Sequence, residues 1–311
     1  MEKREIEYIV VACCTCLRPQ TLRQSLMTFR NMKKPENIKI DLLVVDNDKN
    51  ASAYDVASEF NAIYFVEEER GIAKARNRVL KEAVNLGATH IAMFDDDGLL
   101  DENWLINHIE FYKNNDVNIV SGPQYCHFDK EYPKHIVKNN IFKTNTTKRT
   151  GQKLKSCATN NVFMQLDFVS EKNIYFDEEK YVFMGGEDGD FFNRARKTGC
   201  TIRFNKEAVV KELIEENRAN TRWILDRYYY NGYSGGYLKY GNTKKINFKK
   251  FVYLFKTALI YGFDTVLVVP SRFLGTTTYY NMLGMTLKTK GKLEGAFFAR
   301  PMNYYEKVSG K

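Results

Sequence analysis

The sequence predicts an open α/β sheet with helices on both faces, followed by a helical appendage. Three observations carry that expectation. Short apolar, β-branched runs alternate with segments of helical spacing through the first 100 residues, the order of a doubly wound sheet. Polar clusters follow Ala12, Val45 and Phe94, which puts them at the carboxyl ends of successive strands, where ligands of such sheets bind. From about residue 246 the chain turns strongly apolar and aromatic, unlike what precedes it.

The elements are expected in this order. Ile6 to Ala12 (IEYIVVA) reads as a buried strand, Cys13 to Pro19 as a loop, and Gln20 to Asn31 as a helix with Leu22, Leu26 and Phe29 inward. Ile38 to Val45 is a second buried strand ending at Asp46-Asn47-Asp48. Ser52 to Phe60 is then a helix and Ala62 to Val66 a third strand. Gly71 to Leu86 has Ile72, Ala75, Val79, Ala83 and Leu86 on one side, with Gly87 as its stop signal. Thr89 to Phe94 is a fourth strand, delivering Asp95-Asp96-Asp97-Gly98. Residues 125–155, rich in lysine and asparagine with little periodicity, read as a long mobile loop. Phe183 to Gly199 carries Gly-Gly-Glu-Asp into a helix.

Composition narrows the function. A length of 311 residues suits one large core, or a core with an appendage. The net charge of +9 favours an anionic partner, whether phosphate-bearing substrate, membrane or nucleic acid. The basic residues are scattered and no zinc-finger, basic-zipper or RNP-like pattern occurs, so nucleic acid is not expected. MEKREIEYIVVACC lacks the apolar core and cleavage site of a secretory signal. Cys13 and Cys16 are spaced C-x-x-C without a second ligand pair, and the six cysteines read as reduced cytosolic thiols.

Four clusters carry chemistry. Three consecutive carboxylates, Asp95-Asp96-Asp97, repel one another unless a cation or water satisfies them, and hard divalent ions choose such oxygens. The bland alternative is a solvated turn capping the next helix. Glu187-Asp188 opens a helix, where a carboxylate can serve as general base for a hydroxyl or simply favour the positive end of the helix dipole. Asp46 can accept from the imide N–H of a base, or form an ordinary Asp-Asn-Asp turn. Arg76 is either a phosphate ligand or a solvent-facing arginine on an amphipathic helix.

Together these segments change the reading. VVACCTCLRP after the first strand, LLVVDND after the second, GIAKARN before the fourth, FDDDG at its end and GGEDGDFFNRARKTG beyond it resemble the family-2 glycosyltransferases of the GT-A fold over roughly residues 6–232. Within that family the chain is similar to bacterial polysaccharide-assembly enzymes of the succinoglycan type. The resemblance implies that Thr15 and Arg18 line the nucleotide pocket, with Asp46 on the base and Arg76 near the base or diphosphate. It places Asp95 and Asp97 in the Asp-x-Asp element on ribose and metal-bound diphosphate; either Asp95 or Asp96 shares the ligation with Asp97. Asp188 is then the catalytic base and Glu187 its support. Arg222-Trp223 is similar to the Gln-x-x-Arg-Trp element of processive members, but Ala219 stands where the glutamine belongs.

The expected activity is inverting, Mn²⁺- or Mg²⁺-dependent transfer from a nucleoside-diphosphate sugar, a UDP-sugar foremost, to a lipid-linked or surface-polysaccharide acceptor. The expected division is a GT-A catalytic domain over 1–245 and a helical, membrane-associating segment over 246–311. That segment, NFKKFVYLFKTALIYGFDTVLVVPSRF, holds Lys256 and Asp264, which suit an anionic membrane surface better than a spanning helix; the alternative is a soluble helical appendage packing on the core. The expected location is cytoplasmic, peripheral on the inner face of the cell membrane. Three alternatives are weighed. Asp-x-Asp-Gly also fits a haloacid-dehalogenase-like phosphatase, but three strands precede it. A nucleotidyltransferase needs a glycine-rich first loop, which CCTCLRP is not. A non-catalytic carbohydrate-binding protein has no use for both acidic clusters.

Overall fold

The computed structural model of the chain describes residues 5–143, 147–181, 185–241 and 245–298. In chain order the first stretch runs β1 (Tyr8–Thr15), α1 (Pro19–Asn31), β2 (Lys39–Asp46), α2 (Tyr54–Glu59), β3 (Ile63–Val66), α3 (Ile72–Asn85) and β4 (His90–Phe94). β5 (Gly98–Leu100), α4 (Trp104–Asn114), β6 (Ile119–Ser121), β7 (Gln124–His127) and α5 (Lys134–Val137) follow. Next come β8 (Asn161–Gln165), α6 (Asp167–Ser170), α7 (Glu187–Lys197), β9 (Ile202–Phe204) and β10 (Val210–Leu213). Then come three long helices, α8 (Thr221–Gly236), α9 (Phe248–Ser271) and α10 (Thr276–Phe298).

Contacts divide the chain into two units. The first comprises Met1–His127, Thr144–Val182 and Glu187–Leu213; the second comprises Phe128–Lys143, Phe183–Gly186 and Ile214–Lys311. The second unit thus joins Ile214–Lys311 with two earlier segments of the chain.

The first unit is built on a seven-stranded mixed sheet of order β3-β2-β1-β4-β8-β6-β9. β1 pairs in parallel with both β2 and β4, and Ile9–Cys13 has no exposed surface, which is why it reads as an unbroken apolar run rather than an alternating one. Alternate residues then serve opposite faces. Ile9, Val11 and Cys13 pack with α1, α2 and α4; Val10 and Ala12 pack with α3, α6 and α7. β8 runs antiparallel between β4 and β6, and its register sets Asn161 opposite Phe94. The polar residues just before β8 thus arrive at the edge where β4 ends. A second sheet, β5-β10-β7, lies in the same unit.

Two expectations change. β1 continues through Cys13, Cys14 and Thr15, because Thr15 finds a ladder partner in Asp46. The expected loop over 125–155 begins in β7, which pairs with β10 from Val210 onward, and also holds α5 and a 3₁₀ turn, Asn140–Phe142. Pairings so distant in sequence leave no local periodicity. Residues 1–4 of the N-terminal reading, 144–146 of that loop, Phe183 and Met184 of the Gly-Gly-Glu-Asp segment and 299–311 of the appendage lie outside the described residues.

In the second unit α10 packs against both α8 and α9. Contact with α8 depends on two glycine pairs, Gly232-x-x-x-Gly236 and Gly291-x-x-x-Gly295. A Cβ at Gly232 would stand 2.0 Å from the Lys288 carbonyl oxygen, and one at Gly291 2.2 Å from that of Tyr229. Backbone cannot yield as a side chain does. Gly291→Val is expected to cost about 3 kcal/mol in denaturant unfolding. Gly235→Ala, on the same helix with nothing within 4 Å, should be neutral or stabilising by up to about 1 kcal/mol.

Candidate active site

The loop after β4 is held from three sides. Gly98 fits because a Cβ there would sit 3.0 Å from the Asp95 carbonyl oxygen and 3.1 Å from Val210 Cγ1. β10 pairs with β5 immediately after it, and Leu213 N–H donates to the Asp97 carbonyl at 2.8 Å. Thr15, at the end of β1, donates its hydroxyl to Asp96 Oδ2 at 2.7 Å. Arg18 forks across the acidic run, donating to Asp96 Oδ1 at 2.6 Å and to Asp97 Oδ2 at 3.0 Å. Asp96 and Asp97 are buried; Asp95 keeps 41% of its side-chain surface open. Both oxygens of Asp96 are thereby engaged by the two residues expected in the nucleotide pocket.

Arg76 sits in the second turn of α3, and the expectation of a solvent-facing arginine as its alternative is overturned: it is 7% exposed. Its Nη1 donates to Glu187 Oε1 at 2.5 Å and to Asp188 Oδ1 at 2.7 Å, while Nη2 lies 3.7 Å from Asp95 Oδ1. Glu187 is buried, so it is not a plain exposed cap. One guanidinium therefore joins the tip of β4 to the start of α7. Asp188 also accepts from the Thr159 hydroxyl at 3.2 Å and from its backbone N–H at 3.3 Å. Thr159, in the Thr-Asn-Asn run before β8, was not singled out from sequence. Its one signal is that it is a polar cluster preceding an apolar strand.

Asp46 lies inside the turn that follows β2. It has no exposed surface, and its carboxylate accepts from Ala53 N–H at 2.8 Å, Tyr64 hydroxyl at 2.9 Å and Asp48 N–H at 3.1 Å. Those bonds build the turn from β2 into α2. Asp48, two residues on, is 6% exposed and its Oδ2 is buried without a hydrogen-bond partner.

The cluster is electrostatically unbalanced. Asp95, Asp96, Asp97, Glu187 and Asp188 bring five carboxyl groups to two guanidiniums, those of Arg18 and Arg76. The carboxyl of Asp95 is pushed up to about 8 by enclosure and by Asp97, Asp188 and Asp96, against the pull of Arg76. That of Asp188 is also raised, by burial first and by Glu187, with Arg76 and Thr159 opposing. Among the described residues no group of three or more His, Cys, Asp and Glu side chains is arranged to cage an ion. A cavity of about 350 Å³ in the same unit is lined by Ser121, Gly122, Gln124, Ser156, Cys157 and Asn160 among others. Its wall runs into the segment that carries Thr159.

A mixed sheet with helices on both faces, and acidic loops gathered where β4 ends, is the GT-A arrangement of sugar-transferring enzymes. The sequence model of Glycosyl transferase family 2 matches residues 8–171, and the chain belongs to that family. It is 28% identical over 240 residues to the succinoglycan biosynthesis protein ExoM of Rhizobium meliloti (strain 1021), covering 75% of this chain and 76% of that one. In fold it is similar to the mannosyltransferase PcManGT of Pyrobaculum calidifontis, solved with GDP-Man and Mn²⁺ (TM-score 0.53, 15% identity, 74% of this chain, 64% of that one). It is also similar to S. aureus TarS 1-349 in complex with UDP-GlcNAc (TM-score 0.52, 12% identity, 93% and 91%), and it spans 38% of a longer TarS chain. The haloacid-dehalogenase alternative is thereby set aside.

Proposed function

We propose that this chain transfers a hexosyl group, with inversion, from a nucleoside-diphosphate sugar to a glycan hydroxyl in surface-polysaccharide assembly. UDP-sugars are the first donors to test, and the acceptor is a lipid-linked glycan. The observation that carries the reading is the gathering of five carboxyl groups, from the loop after β4 and the start of α7, around Arg76 and Arg18. Such a cluster holds its acids partly protonated until a cation replaces the protons.

The donor set fits a hard divalent ion. Asp95 and Asp97 are oxygen ligands, Asp95 is part-exposed with only a long ion pair, and Mg²⁺ or Mn²⁺ needs just one or two protein carboxylates when water and phosphate complete its shell. Bound there, such an ion would supply charge neutralisation for the departing diphosphate. Thr15 and Arg18 hold Asp96 and Asp97 in place, and Arg18 stays within reach of a phosphate. Asp46, or Asp48 two residues on, whose buried Oδ2 has no hydrogen-bond partner, is assigned to the nucleotide base. Asp188 takes the acceptor proton as that oxygen attacks the anomeric carbon, while the bond to the diphosphate breaks. Arg76 and Thr159 orient Asp188, and its raised pKa brings its basicity toward neutral pH. Glu187 braces Arg76. A single displacement turns an α-linked donor into a β-linkage.

Residues 1–245 are assigned to catalysis and 246–311 to attachment at the cytoplasmic face of the membrane. Phe248–Leu274 is long and apolar enough to cross a bilayer by length and composition.

The test is thermal stabilisation by Mn²⁺ with each nucleotide sugar, followed by turnover of the one that binds. The pH dependence has a definite sign. An acid whose folded pKa is raised contributes stability below its unfolded pKa and loses it as pH rises through the folded one, here from about 4 to about 8 for Asp95. Metal competes with those protons. The stabilisation by Mn²⁺ plus donor should therefore grow from pH 6 to pH 8. A shift that is flat or falls over that range rejects the carboxylate site.

A further inference from the structure

We propose that α9 lies in the plane of an anionic membrane surface, buried to the headgroup–acyl boundary along one face, and does not span the bilayer. This deepens the membrane-attachment reading and is independent of the transfer chemistry. Phe251, Phe255, Leu259, Phe263, Val266 and Phe273 are each more than half exposed and recur every three to seven positions, so they form one continuous apolar stripe. Within the apolar segment Phe248–Leu274 only 6% of the most apolar window is buried inside the protein. At 1.5 Å per residue its 27 residues extend about 40 Å, enough for a broad surface contact.

The opposite face of α9 is polar and occupied. Lys250 is 1% exposed and donates from Nζ to the Tyr240 carbonyl at 3.3 Å; Thr257 and Ser271 are buried. Asp264 accepts from the Thr289 hydroxyl of α10 at 3.1 Å. The acid that interrupts the apolar run is thus turned away from the stripe. α10 itself carries Lys288, Lys290, Lys292 and Glu294 and packs on α8 along its other side. Crossing a bilayer would drag those charges, or the bare inner face of α9, into hydrocarbon, which is costly. Lying flat requires neither.

Charge selects the occupant. The exposed ionic residues of α9 are Lys249 and Lys256, with Arg272 following at its end; its one acid, Asp264, is only partly exposed and bonded to Thr289. Two lysines bordering an apolar stripe let their stems follow the acyl chains while their ammonium groups reach lipid phosphates. A second copy of this chain would bring the same positive border against itself.

The full-length protein should co-sediment with vesicles of 70% phosphatidylcholine and 30% phosphatidylglycerol, bind pure phosphatidylcholine less, and be released by alkaline carbonate. Phe255→Asp with Phe263→Asp should weaken binding at least about tenfold without changing the thermal midpoint, since both residues face outward. Lys249→Glu with Lys256→Glu should cost about fivefold per residue on anionic vesicles only. Leu259→Trp should be quenched more by lipids brominated near the glycerol than by lipids brominated near the chain end. Resistance to carbonate with deep quenching overturns the in-plane placement. Absence of vesicle binding, with dimers abolished by the Phe→Asp pair, overturns the lipid occupant in favour of a second copy. Sugar transfer to a soluble acceptor by the Phe→Asp variant keeps either failure separate from that of the catalytic reading.

Discussion

Asp188→Asn is expected to lower kcat by about 10²–10⁴-fold while the KM for donor stays within about twofold. The amide keeps the shape and can still meet Thr159, but it has no lone pair basic enough to take the acceptor proton. On the proposed reading, donor affinity would reside elsewhere, on Asp95, Asp97 and the cation they would hold. The acid limb of the kcat/KM profile, set by ionisation of Asp188, should vanish in the variant. Because burial and Glu187 raise that pKa, the limb in the native enzyme should stand above the ordinary carboxylate range. Glu187→Gln should leave the limb in place and cost less, since Glu187 reaches the reaction only through Arg76. Near-native turnover by Asp188→Asn removes the assignment of the base.

Arg76→Met should destabilise the fold by about 3–5 kcal/mol near pH 8, among the largest losses open to one substitution here. The guanidinium is buried and faces three carboxylates, Glu187, Asp188 and Asp95. Without it, Glu187, whose second oxygen Oε2 already has no partner, is a buried acid and Asp188 a part-buried one, and both lose this guanidinium. The pKa of Asp188, already raised, then loses the opposing pull of Arg76, so stability is present at low pH and lost as pH climbs through the raised folded value. The deficit should shrink on going from pH 8 to pH 5, read by chemical denaturation at each pH. Arg76→Lys keeps the charge and loses the fork, so it should fall between the two. A deficit constant with pH means that Arg76 acts through packing alone. Mn²⁺ should recover part of the loss, because it supplies charge to Asp95.

Much of the fold was legible because its signals are local. β1, β2 and β4 announce themselves as uninterrupted apolar runs, since a strand buried on both faces has no reason to alternate. α3 shows its 3.6-residue period and its Gly87 stop. β7 and β10 were invisible: each is a four-residue strand whose partner lies more than 80 residues away, so neither carries a periodicity of its own. Asp46 shows the same limit at the level of one residue. An Asp-Asn-Asp turn offers three side chains to a ligand, and only the folded chain closes Ala53 and Tyr64 onto the first. Close helix contact through Gly232 and Gly291 was missed because a glycine pair spaced by four reads equally well as tolerance or as necessity.

What the amino-acid sequence determined by itself was the strand–helix order, the family, and the residue types gathered at the strand ends: acidic after β4, acidic again at the start of α7. Tertiary structure alone decided which of those acids share a counterion, which are spent on their own backbone, and which face of α9 meets solvent. The reason is range. A strand or helix is specified by neighbours a few residues apart, whereas Arg76 finds Glu187 across 111 residues, and the buried pair exists only once the sheet has formed.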